Sequence, residues 1–388
     1  MSEEVHITGL GCLSPLAFNQ IDFWKNLCAG ECGIREISNF DSTHFLNRSA
    51  GEIVLSPELE KFGEAKQISS RLTLFAAWAI EEALADGGYD LESLRTKKVG
   101  LVLGVSLGMS LSALADGGDV PEIHSDFGSL SADLEALFPI SGDNFVITTA
   151  CAAGTNAIGV AQEMVEFEDY DLVICGGVDT LDAMKYFGHS ALSTLTPDRV
   201  APFCDHRSGT LFGEGAGILL LSKSRSQAER SDYGRCTGAG YSCDASHVTG
   251  PDETGDGALR AMAEALAAAG LEPDQIDYVN LHGSGTMAND EMEAAALKTL
   301  FGEEPRFLSS SIKPAIGHLM GAAGAVEAIA TVQSLKLNVA PPTLHRNGEG
   351  KFRGISVVNE ATPLEGMKHV LSNSFGFGGN NGTVVFSK

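Results

Sequence analysis

This sequence predicts an α/β protein with largely buried sheets, on three observations. Apolar, β-branched runs alternate with amphipathic or alanine-rich runs along the chain. The 45 glycines that punctuate them imply many tight turns and close backbone approaches. Finally, CAAGTNAIGVAQ (151–162) and GAAGAVEAIATVQ (321–333) echo each other: each follows a β-like run and opens through small residues and a glycine into an alanine-rich helix. The echo reads as a duplication, with one unit at 1–234 and a second at 235–388. Rows of alanine and glycine let two such helices pack closely, so the halves can share one middle layer.

Taken in order, the strands are expected at EVHITGLG (4–11), KVGLVLGVS (98–106), NFVITTA (144–150), DLVICGGVD (171–179) and GAGILLLSK (215–223) in the first half. In the second they are DYVNLHGSG (277–285), RFLSSSI (306–312), GISVVN (354–359), and VLSNSFGFGG (370–379) followed by NGTVVFSK (381–388). Most are short apolar runs bounded by glycine, the pattern of strands buried on both faces. Helices are expected at 72–86, 155–167, 258–271, 290–301 and 321–337, where apolar and alanine positions recur at helical spacing.

Composition excludes several function classes. With 26 basic against 51 acidic residues the net charge is −25, which opposes binding to nucleic acid or to an anionic membrane. No apolar stretch is long enough for membrane insertion, and MSEEVHITGL lacks the basic-then-apolar layout of a secretory signal, so a cytoplasmic protein is expected. The eight cysteines form no CxxC pair and no Cys/His spacing typical of zinc, so reduced thiols and no metal are expected.

Cys151 ends one apolar run and begins a small-residue helix. A thiol at a helix's first turn faces unpaired N–H groups and the positive end of the macrodipole, both of which favour thiolate. The alternative is a buried cysteine packing as a small apolar residue. His282, in LHGSGTMANDEME, closes a strand and would project into the crevice beyond it, with a helix beginning near Asp290. SSSIKPAIGHLMGAAGAVEAIA holds Lys313 and His318 five residues apart, with Pro314 and Gly317 keeping the backbone between them out of a regular helix. A histidine at the start of the following helix is expected to stay neutral, and Glu327 is a plausible partner for Lys313. The glycine-rich turns HRSGTLFGEGAG (206–217) and SNSFGFGGNNG (372–382) could aim backbone amides at a ligand or be plain turns. A competing motif, GVSLG (104–108), matches a hydrolase nucleophile elbow with Ser106, although MSLSALADGGD (109–119) stops short of a sustained helix.

Five segments in order, VHITGLGCLSPLAFN, ITTACAAGTNAIG, HGSGTMANDEMEA, SSSIKPAIGHLMGAAGAVE and NSFGFGGNNG, resemble the β-ketoacyl synthase family, the Cys-His-His condensing enzymes of the thiolase superfamily. The resemblance covers almost the whole chain. It implies a thiolase-like duplicated five-layer α-β-α-β-α sandwich, and a homodimer or a heterodimer with a paralogous synthase subunit. Residue by residue it implies Cys151 as the acyl-accepting nucleophile, His282 and His318 as the two catalytic histidines and Lys313 as the lysine upstream of the second. Glu327 would hold that lysine, Asp290 would support the site, and Phe377 would gate it, its N–H joining that of Cys151 in an oxyanion hole.

The activity implied is a decarboxylative Claisen condensation. An acyl thioester loaded on Cys151 would join a malonyl group carried by acyl carrier protein, in fatty acid, polyene or polyketide elongation, with no cofactor. The alternatives are a chain-length-factor-like, non-elongating partner subunit, which typically lacks the cysteine, or another thiolase-fold acyltransferase. An acidic carrier would have to dock on basic residues such as Lys66, Lys97, Lys98, Arg199 or Arg207. The chain departs from the family turn R-D-G-F-V-x-G-E-G-A in having Ser208 and Thr210 for the acid and the phenylalanine, and from the first-histidine motif in having Ser284 for threonine. The segment between GVSLGM and ITTAC is also shorter than the family's.

Overall fold

In the computed structural model, residues 4–107, 127–225, 232–348 and 350–388 are described. Ten strands carry the architecture. The first five are β1 (His6–Leu13), β2 (Val99–Gly104), β3 (Asn144–Ile147), β4 (Leu172–Asp179) and β5 (Gly215–Ser222). The second five are β6 (Arg235–Cys243), β7 (Tyr278–Asn280), β8 (Leu308–Ser310), β9 (His369–Gly376) and β10 (Asn380–Ser387). They are hydrogen-bonded in the order β3-β2-β4-β5-β1-β6-β10-β9-β7-β8.

Read outward from its middle, the series repeats. The first run is β1, β5, β4, β2, β3 and the second β6, β10, β9, β7, β8, so each strand has its counterpart five places later. The pairing senses repeat too: antiparallel twice, then parallel twice, in both runs. The two runs meet at a single ladder pair, His6 with Arg235.

The helices that matter for the site are α1 (Arg71–Gly87), α2 (Ala153–Phe167), α3 (Ala183–Ala191), α4 (Asp256–Ala269), α5 (Met287–Phe301) and α6 (Ala323–Leu337). α1 packs on the first run and α4 on the second, while α2 and α6 touch each other and strands of both runs, giving five layers. One core accordingly joins Ile158 and Val165 of α2, Val326 and Ile329 of α6, Leu219 and Leu221 of β5 and Val384 and Phe386 of β10. Every residue of α6 from Ala323 to Leu335 is buried, as a helix between two sheets must be. Its hydroxyls are satisfied within the helix: Thr331 Oγ1 donates to the Glu327 carbonyl at 2.7 Å and Ser334 Oγ to that of Ala330 at 2.9 Å.

β6 is absent from the sequence-based strands because RCTGAGYSC lacks the apolar, β-branched run that marks the others. Its small residues serve a close approach. A Cβ on Gly240 would lie 2.2 Å from the Ala261 carbonyl of α4, just as one on Gly11 of β1 would lie 1.9 Å from the Ala79 carbonyl of α1. Conversely, GISVVN forms only the two-residue strand Ile355–Ser356, paired with Lys351–Phe352 outside the main series. The MSLSALADGGD segment lies outside the described residues, and the shortened region is described only from Phe127. Among the described residues no helix is long and apolar enough to cross a membrane.

Candidate active site

β3 ends at Ile147, and the chain reaches α2 through a 3-10 turn at Ala150–Ala152 in which Ala150 takes a left-handed conformation, φ 51°. A non-glycine residue there is strained. The strained turn presents Cys151, 9% exposed, at the head of the central helix. The end of β9 passes directly against it: a Cβ on Gly376 would lie 2.9 Å from the Cys151 amide nitrogen. The next amide, that of Phe377, lies near enough to the Cys151 sulfur to oppose the rise of its thiol pKa.

Two histidines reach the same place from the second half. His282 follows β7, and its amide and that of Gly283 donate to the Glu293 carboxylate of α5 at 2.8 and 2.9 Å, fixing the turn. His318 is anchored across to the 206–217 turn: its amide donates to the Leu211 carbonyl at 2.7 Å and its carbonyl accepts from Gly213 at 3.0 Å. The imidazoles meet edge to face, centroids 5.3 Å apart and planes at 82°. Cys151, His282, His318, Phe375 and Phe377 line one pocket.

Lys313 stands behind both rings. Its Nζ donates to Glu327 Oε1 at 2.5 Å and to the His282 carbonyl at 2.5 Å, and lies 3.5 Å from His282 Nδ1. Burial, and then the Lys313 charge, hold both imidazoles well below the ordinary histidine range, so they are neutral. The tautomers follow from the partners. The Met320 amide donates to His318 Nδ1 at 3.2 Å, and the Lys313 ammonium faces His282 Nδ1, so each ring keeps its proton on Nε2.

Three sequence expectations need correction. The helix end was expected to favour the Cys151 thiolate, but burial dominates and pushes the thiol up to about 11, against the opposing pull of Lys313 and the Phe377 amide. Lys313–Ile316 does form one helical turn, because Pro314 suits a first turn; Gly317 at φ 79° then ends it. The helix after His282 starts at Met287, capped by Thr286, three residues before Asp290. Asp290 does not line the pocket. It accepts from the Phe203 amide at 2.9 Å and the Gly285 amide at 3.2 Å, bracing two loops of the rim.

Sequence reasoning missed Glu293, which the acidic run DEME could have flagged, and His189 of α3, for which no local pattern exists. Ser106 is not a hydrolase nucleophile in this arrangement: its hydroxyl is buried with no hydrogen-bond partner among the described residues and lies outside the lining of the pocket.

Two family models meet end to end on the chain, the β-ketoacyl synthase N-terminal domain over residues 2–227 and its C-terminal domain over 233–347. The chain belongs to the β-ketoacyl synthase family. The synthase is 35% identical to the 3-oxoacyl-[acyl-carrier-protein] synthase 2 of Vibrio cholerae over 412 residues, covering 99% of each chain. It superposes on the ishigamide ketosynthase/chain length factor with a TM-score of 0.89 at 30% identity, covering 100% of both chains. A ketosynthase (ApeO) in complex with its chain length factor (ApeC) from Xenorhabdus doucetiae matches with a TM-score of 0.83 at 27% identity, over 100% of this chain and 98% of that one. These relatives make the synthase an acyltransferase-class condensing enzyme with a thiolase-like fold.

The synthase's departures from the family turn divide in two. Ser208 pairs with Thr196 Oγ1 at 2.7 Å and stays out of the pocket, whereas Thr210 lines it. Of the basic residues considered for docking, Arg207 is excluded. It is 4% exposed and tied to Glu291 at 2.8 Å and Asp290 at 3.7 Å. Lys66 is paired with Glu81 at 2.5 Å.

Proposed function

We propose that this synthase catalyses decarboxylative condensation of an acyl group held on Cys151 with a malonyl group delivered by acyl carrier protein. The observation that carries the reading is the Cys151 thiol sharing one pocket with two neutral histidines whose rings meet edge to face. In the first half-reaction sulfur attacks the acyl thioester carbonyl, the carrier's C–S bond breaks, and the thiol proton leaves with the carrier. The amides of Cys151 and Phe377 receive the tetrahedral oxyanion; one such donor contributes about 3 kcal/mol.

In the second half-reaction the malonyl thioester loses carbon dioxide, and the electron pair of the broken bond stays as an enolate. Its oxygen needs donors, not a base, and the Nε2–H groups of His282 and His318 fit that need. The enolate carbon then attacks the acyl carbonyl and displaces the Cys151 thiolate. Lys313, held by Glu327, supplies the charge that keeps the imidazoles neutral and eases ionisation of the sulfur. Asp290 positions the rim.

The duplication supports a division into halves at 234/235, beside the His6–Arg235 junction. A dimer, with itself or with a paralogous subunit, is supported by the ketosynthase/chain length factor pairing named for the two solved relatives. Among the described residues β3 is the edge strand of the series, and its Phe145, 46% exposed, suits such a contact. Eight free cysteines fit work in the reducing cytoplasm.

The test is intact-protein mass spectrometry after incubation with an acyl-carrier thioester. The acyl mass is expected on the wild type and not on Cys151→Ala. His318→Ala is expected to load acyl but fail to release carbon dioxide from malonyl carrier protein. An acyl adduct that survives Cys151→Ala overturns the reading.

A further inference from the structure

Cys151 shares its pocket with a third imidazole that the condensation does not use. His189, on α3, also lines the cavity. Its ring lies between two phenylalanines, 4.0 Å from Phe212 and 5.3 Å from Phe377, centroid to centroid, and Phe212 in turn stacks on His318 at 5.6 Å. Four rings thus run in series from Phe377, which lines the pocket beside Cys151, to His318. Apolar side chains would complete such a stack without cost.

Instead, His189 brings a polar atom that the protein leaves unsatisfied. Its Nδ1 is shielded from solvent and has no hydrogen-bond partner among the described residues. An unpaired buried polar atom is destabilising, and native proteins retain one where something else completes it. The surroundings are polar in the same sense. Thr194 and Thr210 line the pocket too, the Thr194 hydroxyl donates to the His189 carbonyl at 3.1 Å, and the Thr210 amide donates to the Thr194 carbonyl at 2.9 Å.

We propose that His189 is a specificity-determining residue of the acyl pocket, selecting chains that carry an uncharged oxygen, a hydroxyl or a keto group, over plain alkyl chains. This rests on Cys151 being the acyl carrier residue. A chain attached to that sulfur enters the pocket that Phe377 and His189 line together, so its carbons reach the imidazole. A hydroxyl or keto oxygen there can pair with the imidazole, whereas a methylene leaves it unpaired. The imidazole is neutral, since burial pushes it down to about 4, so it offers no counter-charge to a chain ending in carboxylate.

The experiment loads the full-length protein with octanoyl-pantetheine and with hydroxy- and oxo-octanoyl-pantetheines bearing the oxygen at successive carbons. The rate of acyl-Cys151 formation is read by mass spectrometry. In each case the sulfur–acyl bond forms as the pantetheine C–S bond breaks and the thiol proton leaves with pantetheine. The wild type is expected to favour at least one oxygenated chain by roughly tenfold, the scale of one paired against one unpaired group in a closed site. His189→Phe is expected to bring that ratio close to unity, and His189→Gln, which keeps a hydrogen-bonding group, to retain part of it. A wild-type ratio at or below unity for every oxygenated chain overturns the proposal, even where His189→Phe fails to fold. A ratio unchanged in a folded His189→Phe overturns it as well. Loading that persists in Cys151→Ala sinks the condensing-enzyme reading instead, whatever the ratio.

Discussion

Cys151 and Gly321 occupy equivalent positions in the two halves of the molecule. Each follows a non-glycine residue in the left-handed region, Ala150 at φ 51° and Met320 at φ 53°, and each sits in a 3-10 turn that feeds a central helix. The two heads differ in what faces them. Cys151 opens on the pocket, whereas the Gly321 amide donates to buried Asp179 at 2.9 Å, and a Cβ there would lie 2.4 Å from the Ser106 nitrogen. One elbow faces the pocket and the other is used for packing.

Gly321→Ala is therefore expected to destabilise the protein by about 3 kcal/mol, because the clash is with backbone that cannot rotate away. The midpoint of urea unfolding reads this. A midpoint within error of the wild type would show that the second elbow has room to spare.

Lys313 and Glu327 are both buried and joined at 2.5 Å. Removing either leaves the other charge unpaired, so Glu327→Ala is expected to cost about 3–5 kcal/mol in the same unfolding measurement.

Lys313 also lowers the Cys151 thiol from where burial alone would put it. Lys313→Met is expected to slow iodoacetamide alkylation of Cys151 at pH 8 by about tenfold, since the lost ammonium leaves less thiolate. Alkylation that is faster in the variant would contradict the assignment.

Stability should depend on pH through His189, whose folded form titrates at about 4 against the ordinary 6.5. The unfolded chain takes up a proton below 6.5 that the folded protein refuses, so this contribution is complete above pH 6.5 and is lost as pH falls toward 4. Glu293 and Glu327, raised from 4.5 to about 7 by burial, act oppositely and cost stability as pH rises through that interval. Only a difference between variants separates the two. Going from pH 7 to pH 5, the wild type is expected to lose about 1–2 kcal/mol more than His189→Phe. Parallel pH profiles would show that the folded protein protonates His189 as readily as the unfolded chain does.

How much of this was legible beforehand varied with the kind of residue. Cys151, His282, His318 and Phe377 sit beside glycine-rich or helix-opening patterns whose local geometry can be read along the chain, and the structure brings all four to one pocket. β6 escaped notice because its glycines answer to the carbonyls of α4, a partner some twenty residues away and not a local propensity. The thiol's ionisation was misjudged for a similar reason: helix polarity is local, but burial depends on everything folded around the sulfur.

By itself the sequence determined the α/β class, the echo of two central helices and the chemistry-bearing side chains, because turn residues, hydrophobic periodicity and helix starts are properties of neighbours along the chain. Only the tertiary structure decided which groups share a pocket, which tautomers the histidines hold, and that His189 stands unpaired between Phe212 and Phe377. Most of those depend on side chains distant along the chain, His189 and Phe377 among them, coming together, and on the exclusion of water when they do.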